Sequence, residues 1–438
     1  MSLVSRLRGF WDDQRGNVAI ISAFSILPLL ALAGGATDIA RHESYRAQLQ
    51  DGLDRAVLAA ASLTQTRPVE ETVRGYLKAL PFADDIDLHF TYLNAVNARE
   101  VTVTAGYEMQ TGFLPLIGID AIRVGAAATA LERRTNIEIS LMLDISGSMR
   151  EGSPSKISLL RPAAQAFIDA ILTPETAKFT SVSVVPYAGS VSVGADVFNA
   201  LHGARVHSNS SCFEFANNEF GVGMLNFTGR AQVPHFTNWN YNTNIAGLNW
   251  WWCPTDDTAL TFMSNNAAFL KNRIANYKMH DGTGTANAMN WGMMLLEPAL
   301  RPFIGQAVSA NLVPSDFSNR PADFEDPNTV KFIVLMTDGA ITEQWRPKDP
   351  SRPVTQAPDN QKLFTASVAL NQMYAVCNRA KANHVVVYTI GFQVTSEAQE
   401  QMRQCATTPN HFYNVAGLDI AGAFRSIASA IQQVRLTQ

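Results

Sequence analysis

The hydrophobic rhythm of the chain changes three times. From Val18 to Ala36 the stretch "VAIISAFSILPLLALAGGA" carries no charge. About 19 residues at 1.5 Å each nearly match the hydrocarbon thickness of a bilayer. The pattern then becomes amphipathic. Ile39, Tyr45, Leu49, Leu53, Val57 and Leu58 recur at approximate helical spacing, so one helix is predicted to run on from the apolar stretch to about Ala61. Pro28 is a point at which a membrane helix can bend. Between 67 and 135 the segments "DLHFTYLN", "EVTVTAGYEM" and "AIRVGAAATALE" are rich in Val, Thr and aromatics with partial alternation. They predict strands, either of a small α+β unit carried on the long helix or of an extension of the next domain. Beyond 136 the runs "NIEISLMLD" and "VKFIVLMTDGA" are apolar without alternation, as in strands buried on both faces. Helical stretches separate them, such as "KISLLRPAAQAFIDAIL" from Lys156 and a last helix with Ile420, Phe424, Ile427 and Ile431 on one side. That alternation predicts an α/β domain with a doubly wound, mostly parallel sheet.

Charge and cysteine content add a location. Arg6, Arg8 and Arg15 precede the apolar run, which places the N-terminus in the cytoplasm and the bulk of the chain outside. Asp12 and Asp13 count little in that rule, and Arg41 and Arg46 weaken the bias without reversing it. A cleaved signal peptide ending at "AGGA" is the alternative. A retained anchor better explains the run's length and its continuation as a helix. The four cysteines, Cys212, Cys253, Cys377 and Cys405, form no CxxC pair, and an even count suits two disulfides outside the cytoplasm. A Cys212–Cys253 bridge would close a loop within the long stretch 195–262, and Cys377 and Cys405 are expected near one another. That stretch, rich in Asn and Trp, is either a recognition surface or an insertion packed onto the domain, packing being the expectation for most of its Trp residues. A net charge of -4 gives no reason to expect nucleic acid.

The candidate chemistry lies where strands end. In "LMLDISGSMR" Asp144, Ser146 and Ser148 follow an apolar strand at alternate positions. "MHDGTGTANAMNWG" is a Gly-rich loop running into a helix, with Thr283 and Thr285, and "VLMTDGA" ends a second strand at Asp338. Ligands of doubly wound sheets bind at the carboxyl ends of strands. One or two carboxylates with several hydroxyls make a hard, oxygen-only environment suited to Mg²⁺ or Mn²⁺ and not to zinc. So few carboxylates leave such an ion incompletely neutralised and able to accept an acidic side chain from a partner. His280 and Asp281 match no part of the pattern and are expected on the surface, as are His202 and His207, which lack a third ligand. There is no GxSxG elbow, P-loop or HExxH. The serines read as ligands, so no catalytic residue is assigned and the chain is not expected to be an enzyme.

Two resemblances sharpen these readings. Residues Arg15 to Ala61 resemble the N-terminal module of Tad/Flp pilus-assembly proteins of the TadE/TadG type. Processed pseudopilins of that kind have a glycine with an acid five residues later, whereas Gly16 is followed by Ile21 at that position, so cleavage there is not expected. The DxSxS pattern "DISGS", the loop "GTGTANAM" and the strand end "MTDG", in that order, resemble the metal-ion-dependent adhesion site of a von Willebrand factor A domain. The resemblance implies metal-site residues Asp144, Ser146, Ser148, Thr283 (with Thr285 the alternative) and Asp338. It also implies an anchor over 1–66, a connecting region over 67–135 and an A domain over 136–434 interrupted at about 195–262. With TadG-like endings it extends over nearly the whole chain. The implied protein is a single-pass inner-membrane component of a Tad/Flp-type pilus assembly or secretion system, facing the periplasm and holding a protein partner through the ion. The alternative is a surface adhesin using the same site, against which the anchor argues.

Overall fold

The computed structural model describes residues 15–95, 97–239, 241, 248–249 and 251–436, and it divides into two compact units at Arg133/Arg134. Arg6, Arg8, Asp12 and Asp13 lie outside the described residues, as do residues 240, 242–247 and 250 of the Asn- and Trp-rich stretch.

In the first unit a single helix, α1 (Arg15–Ala61), continues past Pro28. Its 47 residues correspond to about 70 Å. Over Ile20–Ala61 it is long and apolar enough to cross a membrane. Ile20, Phe24, Leu29 and Leu32 are exposed along its first half, and Leu49, Leu53, Ala56, Val57 and Ala60 are buried along its second. The predicted stripe is therefore corrected at both ends, because Ile39 and Leu58 are exposed. At 100° per residue Leu58 lies about 180° from Leu49, while Ala56 and Ala60 fall back on Leu49's face. Small alanines let the helix sit close against its neighbours. These are α2 (Val69–Leu77) and an antiparallel sheet of β1 (Asp87–Asn94), β2 (Ala98–Gln110) and β3 (Ala121–Arg133), in that order. Along β2, Val101, Val103 and Ala105 turn to the core while Thr102 turns outward to hydrogen-bond Thr129 at 2.9 Å. That alternation is what a sheet covered on one face requires. Among the described residues these three strands form a sheet of their own.

The second unit is a six-stranded sheet. Its strands are β4 (Asn136–Asp144), β5 (Thr180–Tyr187), β6 (Thr261–Ser264), β7 (Thr329–Thr337), β8 (Val386–Phe392) and β9 (Phe412–Val415). The spatial order is β9-β8-β7-β4-β5-β6, parallel throughout except for the antiparallel edge strand β6. The order reverses direction at β4, the switch point of a doubly wound fold. Strands buried on both faces feed two cores. Ile137, Ile139, Leu141 and Leu143 of β4 pack with Phe167, Phe424 and Ile427 on one side. Met142, Ile333 and Leu335 pack with Met289, Met373 and Met402 on the other. The first face is covered by α3 (Lys156–Ile171), α4 (Ala267–Asn276) and α8 (Ile420–Leu436). The second is covered by α5 (Thr285–Met294), α6 (Ala366–Ala382) and α7 (Ser396–Cys405). All ten residues of α5 are buried, and it lies close to β4, where Ser140 donates to the Gly292 carbonyl at 2.7 Å. This is the doubly wound, mostly parallel α/β sheet that the hydrophobic pattern predicts.

The stretch 195–262 differs from the sequence reading at its end, since Thr261 and Phe262 belong to the edge strand β6. A strand of four residues is too short to stand out from periodicity. Cys212–Cys253 and Cys377–Cys405 are both disulfide-bonded. The second joins the buried faces of α6 and α7, 28 residues apart in sequence. By chain entropy, replacing both partners, Cys377→Ser with Cys405→Ser, is expected to remove about 3–4 kcal/mol. A lower urea midpoint with a steeper slope, because the opened denatured chain exposes more surface, would show it.

Candidate metal centre

Parallel pairing aligns the carboxyl ends of β4 and β7, with Leu143 opposite Met336. Asp144 and Asp338 are thereby brought to one place from 194 positions apart in the numbering (338 − 144). Beyond β4 the chain makes a tight turn over Gly147–Arg150 that folds Ser146 and Ser148 back over the strand end. The Ser146 N–H donates to Asp144 Oδ1 at 2.8 Å, and Thr337 Oγ1 donates to Asp144 Oδ2 at 2.8 Å. The Ser146 and Ser148 hydroxyls are 3.0 Å apart, and Ser148 Oγ donates to Asp338 Oδ1 at 2.7 Å. Four of the five expected residues therefore form one connected set. Asp144 is wholly buried. Burial first, and then the negative charge of Asp338, push its carboxyl up to about 7, against the lowering effect of the Ser146 and Thr337 hydrogen bonds.

The two threonines differ. Thr285 is the first residue of α5 and fully buried, and its Oγ1 has no hydrogen-bond partner. Thr283 is half-buried in the preceding loop, where its carbonyl accepts from Thr342 Oγ1 at 3.2 Å. Two carboxylates and two serine hydroxyls joined by hydrogen bonds form an oxygen donor set that fits a hard divalent cation, and the buried Thr285 hydroxyl is a further oxygen available from the loop.

One member was missed by sequence reasoning. Lys156, the first residue of α3, is buried and donates to Asp338 Oδ2 at 2.8 Å. A positive charge in the first helical turn opposes the helix dipole. Its place there is explained by the carboxylate it neutralises.

His280 and Asp281, expected on the surface, are both buried. The His280 N–H donates to the Ile145 carbonyl at 2.9 Å, which ties the loop to the start of the serine turn. The Asp281 carboxylate accepts from the Asn238 N–H and from Thr237 Oγ1, the latter at 3.0 Å. Its partners thus come from the insertion, so nothing local in the sequence signalled its burial. Trp252 is buried against Phe236 and fills the space a β-carbon on Gly282 would need, 2.6 Å from the ring. Gly282 adopts φ +78, a conformation that glycine favours. Packing of this Trp agrees with the sequence reading. Trp239 is different. It is 39 % exposed and stacks under the Arg150 guanidinium at 4.9 Å. A β-carbon on Gly147, between the two serines, would lie 2.7 Å from its ring. The insertion thus supplies an aromatic wall to the serine turn. His202 is exposed, while half-buried His207 bonds the Val233 carbonyl at 2.8 Å, with its ring near that of His235.

Comparison with known proteins bears on both ends of the chain. Residues 16–63 match the family model described as "Putative Flp pilus-assembly TadE/G-like". No curated protein matches. Among solved structures, the vWF domain of the type V pili tip protein Mfa5 from Porphyromonas gingivalis is 13% identical, covering 69% of this chain and 97% of that one, with a TM-score of 0.38. The pilus adhesin SpaC from Lactobacillus rhamnosus GG is 10% identical, covering 80% and 35%, with a TM-score of 0.37. Proximal thread matrix protein 1 from the mussel byssus, with a zinc-occupied MIDAS motif, is 10% identical, covering 68% and 46%, with a TM-score of 0.32. The chain thus spans about a third of SpaC and under half of the byssus protein. The segment that matches this family model is joined here to a doubly wound α/β domain.

Two outcomes are expected from this geometry. Lys156→Met leaves Asp338 without its ammonium and is expected to cost about 3–5 kcal/mol, as when one side of a buried pair is removed. In thermal melts its midpoint should fall in EDTA and rise more on adding MnCl₂ than that of the wild type. Equal increments would contradict the role given to Lys156. Gly147→Ala is expected to push Trp239 off the turn, moving the ¹⁹F resonance of 5-fluorotryptophan that Trp239→Phe identifies.

Proposed function

We propose that the A domain binds a divalent cation, Mg²⁺ or Mn²⁺, on Asp144, Ser146, Ser148, Asp338 and a threonine of the 283–285 loop, and through it a carboxylate of a protein partner. The observation that carries this reading is the meeting of two buried carboxylates with serine hydroxyls at the ends of adjacent parallel strands. When bound, the cation supplies a Lewis-acidic centre for an acidic side chain. The chain's own residues hold it, exclude water from the two acids and frame the approach with Arg150 and Trp239. The role is adhesive and not catalytic. The serines bond to each other and to Asp338, whose other oxygen is held by Lys156, which supports reading them as ligands and not as nucleophiles.

The match over 16–63 and the apolar half of α1 support a setting in a Tad/Flp-type pilus assembly or secretion apparatus. We read the chain as a single-pass protein of the bacterial inner membrane with its bulk in the periplasm, where its two disulfides are stable. The partner is then another pilus or envelope component. A pull-down from envelope extract tests this. Wild-type protein with Mg²⁺ should recover a partner that EDTA releases and that Asp144→Ala fails to recover. Identical recoveries in all three arms would sink ion-mediated binding. Cleavage of the A domain by protease added to intact cells would instead assign a surface adhesin.

A further inference from the structure

Within the first unit, residues Phe113–Ile119 form a short loop whose chemistry is unusual for an exposed segment. Phe113 is 43 % exposed, Leu116 59 %, Ile117 61 % and Ile119 42 %. Connecting segments on a protein surface are ordinarily polar, and a contiguous apolar patch marks a contact. The loop is also firmly built. Asp38 of α1, itself 1 % exposed, accepts three successive backbone N–H groups, from Gly112 at 2.9 Å, Phe113 at 2.7 Å and Leu114 at 3.0 Å. At the base, Thr111 Oγ1 donates to the Ile119 carbonyl at 2.6 Å, and the Ile119 N–H donates to the Leu114 carbonyl at 3.1 Å. Gly118 turns the chain at φ +85. The exposed apolar side chains thus sit on a backbone most of whose N–H groups are held within the unit, and its remaining carbonyls suit the hydrated headgroup layer.

The height of the loop on α1 decides what it meets. The Phe113 ring lies directly on Gly34, where a β-carbon would collide with it, and Leu114 Cδ2 would lie 3.0 Å from one on Gly35. Gly34 is two residues before Ala36, the end of the uncharged stretch, or about 3 Å along the axis. Leu30, one turn before Gly34 and within about 40° of its face, is also exposed, so apolar surface on the helix leads up to the loop. Polarity returns just beyond it, with Asp120 following Ile119 and Arg41 seven residues, or about two turns, past Gly34 on α1. Aromatic and aliphatic side chains at such a boundary suit the interfacial layer of a bilayer.

We propose that Phe113–Ile119 is a second membrane contact, seated among the lipid headgroups of the leaflet from which α1 emerges. It makes the first unit a foot with two points of attachment, the span and the loop, and so fixes the rotation of α1 about its own axis. The proposal rests on reading Val18–Ala36 as a membrane span.

Depth-dependent quenching separates the two. The four native cysteines are paired as disulfides, so a single introduced cysteine can be labelled with the fluorophore NBD. Full-length Ile117→Cys, Leu29→Cys and Tyr92→Cys would be reconstituted in phosphatidylethanolamine–phosphatidylglycerol vesicles. Each is measured with doxyl-lipid quenchers near the headgroup or at mid-chain. The label at 117 should emit at shorter wavelength and lose most of its emission to the shallow quencher. The label at 29 should respond to the mid-chain quencher and the one at 92, on an exposed part of β1, to neither. Quenching at 29 without quenching at 117 overturns the loop contact and leaves the span intact. No quenching at 29 overturns the span itself, and the loop contact with it. A blue shift at 117 that no lipid quencher reduces means that protein and not lipid covers the loop, which also overturns the proposal.

Discussion

Two carboxylates cannot lie side by side in a dry place unless something positive comes with them, and this constraint organises the second unit. Asp144 and Asp338 end adjacent strands that are buried on both faces, so the sheet brings both into low dielectric. Charge there is costly when unpaired. The chain answers in three ways. Hydroxyls of Ser148 and Thr337 donate to the acids, Asp144 is pushed toward its neutral form, and Lys156 is drawn into a helical position its charge disfavours. Together these make a centre built to receive positive charge, already holding some of its own.

The insertion is tied to that centre from beneath. A third buried carboxylate, Asp281, anchors Thr237 and Asn238, and Trp252 wedges between glycines that could carry no side chain there. The Cys212–Cys253 bridge closes the same region. The long connection thereby acts as a rim, with Trp239 and Arg150 on one side of the serine turn.

Much of the second unit was legible because its strands are uniformly apolar and end in the residues that matter. Asp144 and Asp338 declared themselves by interrupting such runs. What was hidden depends on partners remote in sequence. Lys156 read as a helix start, because its acid lies 182 residues away. His280 and Asp281 read as surface, because their partners come from the residue just past β4 and from the insertion. Thr283 and Thr285 remained a pair because spacing alone does not reveal which hydroxyl is buried without a partner. In the first unit the helix was plain from its pattern. The inward face was misjudged at Leu58, since large apolar residues were weighted over the alanines that let α1 approach the sheet.

The unbroken course of α1 has a mechanical consequence. Its apolar half and its core half belong to one rod, with no linker between them. Beyond Pro28 the helix runs unbroken to Ala61, so a pull along that part is transmitted with little loss. Tension or torque applied to the sheet of the first unit is delivered to the apolar half as tilt and twist, and a change of tilt there is returned to the sheet with the leverage of several helical turns.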